Sequence, residues 1–112
     1  MRELIWTLRA LADFQRIGDR YDDFAEGLSG RLAEELEGKL THLRRFPEAF
    51  AKVHPAGFRR LLFARRTIGL IYRNEARGIV LHAMRDLRDN PADMQRLLEE
   101  LARGLSFGDA GS

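Results

Sequence analysis

The 112-residue sequence predicts an α+β fold in which an N-terminal strand and a helical hairpin pack on a small antiparallel sheet, with a C-terminal helix. Three observations predict it. Between Phe58 and Pro91, three short runs rich in Leu, Ile, Val, Phe and Tyr are separated by Arg-Arg-Thr and by Asn-Glu-Ala-Arg-Gly, the pattern of consecutive strands joined by hairpin turns. Before them, apolar residues recur at helical spacing from Leu8 to Leu43. After them, the same spacing returns from Ala92 to Leu105.

Glu3 to Trp6 is a brief apolar segment suited to a first strand, and Leu8, Leu11, Phe14, Ile17 and Tyr21 follow it on one helical stripe. Asp22-Asp23-Phe24-Ala25-Glu26 resembles a capping box and opens a second, longer helix carrying Phe24, Leu28, Leu32, Leu36, Leu40 and Leu43. Its Gly27, Gly30 and Gly38 each weaken it by up to about 1 kcal/mol, so packing of the leucine stripe must hold it. Pro47 ends it. Residues 47–57, with two prolines and a glycine, read as a loop.

In the three strands, Phe58, Leu62 and Ala64, Ile68, Leu70 and Tyr72, and Ile79, Leu81 and Ala83 share the side expected to be core. Arg59, Phe63, Arg65, Ile71, Arg73, Val80, His82 and Met84 share the other, a mixed apolar and guanidinium face that needs a partner. The last helix takes Asn90 as cap and Pro91 in its first turn. Residues 1–105 form one domain, and 106–112 are expected to be a disordered tail.

At this length and 45% hydrophobic content, a single core can fold without disulfides or metal. The absence of cysteine excludes thiol nucleophiles and Cys-type zinc sites and suits the reducing cytosol. The N-terminal apolar run is too short for a signal peptide and no stretch suits a membrane span, so a soluble, cytoplasmic protein without a membrane partner is expected. The net charge of +2 is unevenly spread. Residues 41–88 carry eleven Lys or Arg against three acids, a surplus of +8, and the remainder carries eight against fourteen, or −6. A basic sheet beside acidic helices suits an acidic or phosphate-bearing partner; simple decoration of solvated strands is the plainer alternative.

His42, His54 and His82 are not at ligand spacing, so no metal is expected, and no phosphate-binding glycine loop or nucleophile motif implies a cofactor or small-molecule substrate. Cleaving RNA without metal needs cations around the phosphate and groups that move protons. Arg60, Arg65, Arg73, Arg85 and Arg88 could supply the first, and His82 or Tyr72 the second. Tyr72 also suits a core position, and His82 a satisfied strand histidine.

Four segments in order, Leu43–Glu48, Gly57–Phe63, Leu70–Arg73 and Ile79–Pro91, resemble the RelE/ParE superfamily of toxins from type II toxin-antitoxin systems. The resemblance spans nearly the whole chain and implies the same order of elements. A family pattern like Val-Leu-His-Gly-Arg-Arg-Asn-Pro overlays on the end of the last strand, matching Arg88, Asn90 and Pro91 but placing Asp86 where the family has the histidine. Lysines at the start of the basic sheet and a C-terminal tyrosine beyond Arg88 are also missing. The resemblance is therefore closer to the ParE branch. It implies a toxin that inhibits growth by acting on DNA gyrase, neutralised by a cognate antitoxin, rather than an enzyme.

The alternatives are a RelE-like endoribonuclease that cuts mRNA in the ribosome with Arg60, Arg73, His82, Arg85 and Arg88, or a toxin-fold protein without toxicity. In the leading reading Arg59, Arg65, Arg73, Arg85 and Arg88 meet the target. Phe63, Ile71, Val80, Met84, Leu97 and Leu101 anchor a segment of the antitoxin that is disordered alone and ordered on binding.

Overall fold

The computed structural model describes residues 1–108. The elements run β1 (Leu4–Trp6), α1 (Leu8–Phe24), α2 (Leu28–Arg45), β2 (Ala51–Lys52), β3 (Phe58–Phe63), β4 (Ile68–Glu75), β5 (Gly78–Asp86) and α3 (Pro91–Gly108). The α+β class stands. One five-stranded sheet has the order β1-β5-β4-β3-β2, with the α1–α2 hairpin on one face and α3 on the other.

The sheet is mixed rather than antiparallel, because β1 pairs with β5 in parallel, Leu4 to Ile79 through Trp6 to Leu81. Gly78 makes that junction possible: its φ of +145° suits glycine, and a Cβ there would lie 2.8 Å from the Glu3 carbonyl oxygen. The loop expected at 47–57 contains β2, which pairs Ala51 with Arg60 and Lys52 with Arg59.

Thr7 caps α1, its Oγ1 accepting from the Ala10 amide and donating to the Leu81 carbonyl, which fastens the helix start to β5. The α1–α2 boundary differs from the expected one. Asp22 and Asp23 end α1 instead of opening α2, and the chain reverses at Gly27, in the left-handed region at φ +88°. The Asp22 carboxyl accepts from both the hydroxyl and the amide of Ser29, clipping the hairpin; those bonds hold its pKa below the usual carboxylate value. Phe24, expected in the leucine stripe, and Leu8 at the other end of α1 are both 86% exposed. Leu32, Leu36, Leu40 and Leu43 are buried as expected.

Two apolar layers result. Leu32, Leu36, Leu40, Leu43 and Ile17 pack on Leu61, Phe63, Ile68, Leu70, Tyr72, Ile79, Leu81 and Met84, and on the opposite face Leu97 and Leu98 of α3 pack on Phe58, Ile71 and Ala83. Two expectations about sides are therefore corrected. In β3 the odd positions Leu61 and Phe63 face the helical hairpin, because Arg59 stands opposite Tyr72 and Phe63 opposite Ile68. In β5 a bulge leaves His82 unpaired between Ala83, opposite Ile71, and Leu81, opposite Tyr72, so Ala83 and Met84 exchange faces. Strand β3 also ends at Phe63, placing Ala64 and Arg65 in the turn.

Asn90 caps α3 as expected, its Oδ1 accepting from the Ala92 amide. The helix runs on to Gly108, past the expected start of the tail, and positions 109–112 of that tail lie outside the described residues. No helix among the described residues is long and apolar enough to cross a membrane.

Candidate functional site

The bulge at His82 carries the rest of β5 beyond the short strand β1, which reaches only to Leu81. The edge so exposed is closed by one acid. Asp13 of α1 is 4% exposed, and its Oδ2 accepts from the Met84 amide at 2.9 Å and from Arg85 Nη1 at 2.8 Å, while Oδ1 accepts from Arg16 at 2.8 Å. A carboxyl group thus substitutes for a neighbouring strand and binds two arginines. Sequence reasoning missed Asp13, although an acid beside the core-facing stripe Ala10-Phe14-Ile17 was a signal that could have found it.

Further along, Asp86 accepts from Arg88 Nη2 at 2.7 Å and Nε at 3.0 Å, a bidentate pair. The arginine holds the Asp86 carboxyl below the usual carboxylate range, and the aspartate raises Arg88 in turn. Arg88 also donates to the Tyr21 hydroxyl at 3.1 Å and lies over that ring. Arg20 pairs with Asp89 at 3.3 Å on the same corner.

The β3–β4 turn completes it. Ala64, Arg65 and Arg66 are all left-handed, at φ 55°, 56° and 67°, a strained run for residues other than glycine. Several bonds fix it: Glu35 accepts from the Ala64 amide, Thr67 Oγ1 donates to the Ala64 carbonyl at 2.6 Å, and the Leu87 amide donates to the Thr67 carbonyl at 2.7 Å. Arg65 and Arg66 are exposed at the tip.

On the α3 side, His82 and Glu75 form a compact pair, Nε2 to Oε2 at 2.7 Å, with Arg73 and Arg77 each 3.6 Å from the same carboxyl group. Burial lowers the His82 pKa, although the Glu75 bond acts against it, so the imidazole is neutral at pH 7 and donates through Nε2. Its ring stands edge-on to Phe58. Arg73 also donates Nε to the Ala56 carbonyl at 2.8 Å. Tyr72 is fully buried in the hairpin-side core, its hydroxyl donating to the Pro47 carbonyl at 2.8 Å, and burial pushes its pKa up to about 12.

The arginines expected to act together are therefore divided among separate places. Arg85 and Arg88 share the β5 end with Arg65 nearby in the turn, Arg73 lies with His82 at Glu75, and Arg59 donates to the Glu48 and Phe50 carbonyls on the hairpin side. The stem of Arg60 lies flat over Gly69, its Cδ 3.2 Å from where a Cβ would stand. Of the six apolar residues expected to anchor a partner, Phe63 and Met84 are in the hairpin-side core; Ile71, Val80 and Leu97 are also buried, and Leu101 alone is half-exposed. The mixed sheet face is not open, because α3 covers it.

No protein-family model and no curated protein matches the sequence. Among solved structures, a chain from the "Chromosomal ParDE TA system from P. aeruginosa" superposes with a TM-score of 0.65 at 21% identity, over 77% of this chain and 96% of the other. The two chains share a fold. That is the fold which the resemblance to the RelE/ParE superfamily implied.

Proposed function

We propose that this chain is the toxin of a type II toxin-antitoxin system, of the ParE kind: it inhibits growth by acting on DNA gyrase and is neutralised by a cognate antitoxin. The observation that carries the reading is the fold shared with the ParDE-system chain over 96% of that chain's length. The chemistry of the side chains supports docking over cleavage. Tyr72 is buried with its hydroxyl committed to Pro47, and His82, its side chain 14% exposed, is hydrogen-bonded to Glu75, so neither is presented as a free proton carrier.

The target-contacting part of the proposal centres on Arg65 and Arg88. Both are exposed, and both sit on backbone fixed by the Thr67–Leu87 hydrogen bond, which holds the turn against the end of β5. Arg59, Arg73 and Arg85 contribute mainly through the internal bonds they make. On the antitoxin side, Leu101 is the anchor with free surface, and Leu97 belongs first to the chain's own core.

Purified protein incubated with gyrase and supercoiled plasmid, and separately with translating ribosomes, tests the reading. Cleaved or relaxed DNA is expected. Cut mRNA with unaltered plasmid would replace it with the endoribonuclease, and unimpaired growth on induction would leave a toxin fold without toxicity.

A further inference from the structure

The turn between β3 and β4 uses residues that resist its shape. Positive φ is ordinarily given to glycine or asparagine, yet Ala64, Arg65 and Arg66 adopt it in succession, each against the clash of its own Cβ. Such a run persists only where the surroundings over-determine it. At Ala64 they hold both polar groups of the backbone. The amide donates to Glu35 Oε2 of α2 at 2.9 Å, and the carbonyl accepts from the Thr67 amide at 3.1 Å and from the Thr67 hydroxyl at 2.6 Å. Glu35 is exposed on α2, where the usual partner of a glutamate is a lysine four residues on. Lys39 occupies that position and forms no ion pair among the described residues, and Glu35 reaches 29 residues along the chain instead.

The same bonds extend to Arg88. A threonine hydroxyl has one proton, and that of Thr67 goes to the Ala64 carbonyl, so in its 3.4 Å contact with the Tyr21 hydroxyl it is Tyr21 that donates. The Tyr21 oxygen accepts in turn from Arg88 Nη2 at 3.1 Å. Donation therefore runs in one direction, from Arg88 through Tyr21 and Thr67 to the Ala64 carbonyl, and Glu35 holds the amide of that residue from the other side. Bonds aligned in this way polarise and strengthen one another.

We propose that Glu35, Thr67 and Tyr21 are positioning residues, which brace the β3–β4 turn and Arg88 into one rigid unit so that Arg65, Arg66 and Arg88 reach the target with their spacing already set. A loop ordered in advance loses less freedom on binding, which is what a strained, glycine-free turn gains over a flexible one. The consequence for the target rests on the toxin reading, whereas the brace itself rests on the hydrogen bonds alone.

Three variants of the full chain test it, Glu35→Ala, Glu35→Gln and Tyr21→Phe. Glutamine loses the same charge as alanine but keeps an acceptor for the Ala64 amide, and phenylalanine keeps the ring beneath Arg88. With gyrase and supercoiled plasmid, Glu35→Ala and Tyr21→Phe should each raise the half-effective protein concentration about tenfold, and Glu35→Gln less than about threefold. In a chain already carrying Arg65→Ala, Glu35→Ala should cost less than about threefold more, because it acts through the side chains that the turn presents. Equal losses in both backgrounds would assign Glu35 a general structural role and overturn the proposal. Hydrogen exchange gives a readout independent of gyrase: the Ala64 amide should exchange about tenfold faster in Glu35→Ala than in the wild type or Glu35→Gln, while the amides of β4 and β5 keep their protection. Wild-type protein that leaves the plasmid unaltered would count against the toxin reading alone, since exchange still judges the brace. An Ala64 amide unprotected in the wild type, or equally protected in Glu35→Ala, would overturn the brace even where gyrase is inhibited.

Discussion

Replacing Asp13 with alanine should destabilise the fold through the edge of β5 rather than through lost apolar contact. Three donors point at this carboxyl group, and they differ in what happens when it is removed. Arg16 and Arg85 have side chains 57% and 32% exposed, so water replaces the lost bonds at little cost. The Met84 amide is buried, and leaving it without an acceptor costs about 1–3 kcal/mol. Loss of the charge-assisted bonds adds to this, and relief of the cost of burying the carboxyl group offsets part of it, so a net loss of about 2–4 kcal/mol is expected. Asp13→Asn keeps one acceptor for the Met84 amide and should lose about half as much. Urea unfolding followed by circular dichroism, with the slope of the transition unchanged, measures both. A loss below about 0.5 kcal/mol for Asp13→Ala, the range of ordinary surface changes, would show that Asp13 does not close the strand edge.

Four other outcomes are expected. Leu36→Ala, at a position 2% exposed, should cost about 2–5 kcal/mol, so any loss of toxicity it brings is a loss of folded protein, as unfolding curves would reveal. Gly78→Ala should cost at least about 1–3 kcal/mol, because a positive φ and the Glu3 carbonyl both oppose the new methyl; an unchanged midpoint would contradict the β1–β5 geometry. His82 has a folded pKa below its ordinary value of 6.5, so below pH 6.5 the unfolded chain binds more protons and stability is lost as the pH is lowered through that window. His82→Gln should flatten that slope between pH 5 and 7, and a slope of the same size in the variant would place its origin elsewhere. In growth assays of folded variants, joint Arg65→Ala and Arg88→Ala should relieve toxicity more than Arg59→Ala, which loses bonds to carbonyls rather than an exposed cation.

The periodic parts of the sequence were legible because burial repeats with the element. The leucines of α2, the position of Tyr72 and the Asn90 cap all followed from spacing. The side assignment of β3 did not, since Phe58-Arg59-Arg60-Leu61-Leu62-Phe63 has arginines at both parities and only pairing with β4 decides between them. The bulge at His82 was equally hidden, because it depends on where α1 supplies Asp13 to the Met84 amide. The apolar sheet face assigned to an outside partner was read correctly at Ile71 but not at Phe63 and Met84, which turn to the hairpin core, and the amphipathic last helix was assigned to the same partner. The two bury one another, with Leu97 and Leu98 on Phe58, Ile71 and Ala83.

That internal closure changes what the positive charge can mean. A surplus of +8 over residues 41–88 suggests one basic face, yet five of its eleven cations are held by the chain itself: Arg59 and Arg73 on carbonyls, Arg85 and Arg88 on carboxyl groups, Arg44 on the Arg2 carbonyl. Where such an arginine is partly buried, as Arg59, Arg73 and Arg85 are, removing it disturbs the fold before it disturbs a target, whereas Arg88 keeps an exposed guanidinium. The exposed cations of this segment lie on different elements, Arg65, Arg66 and Arg88 at the rigid turn and the end of β5, Arg77 between β4 and β5, and Arg45 and Lys52 on α2 and β2. Since these groups share no side chain, charge reversal of Arg45 or Lys52 should leave binding at the turn intact.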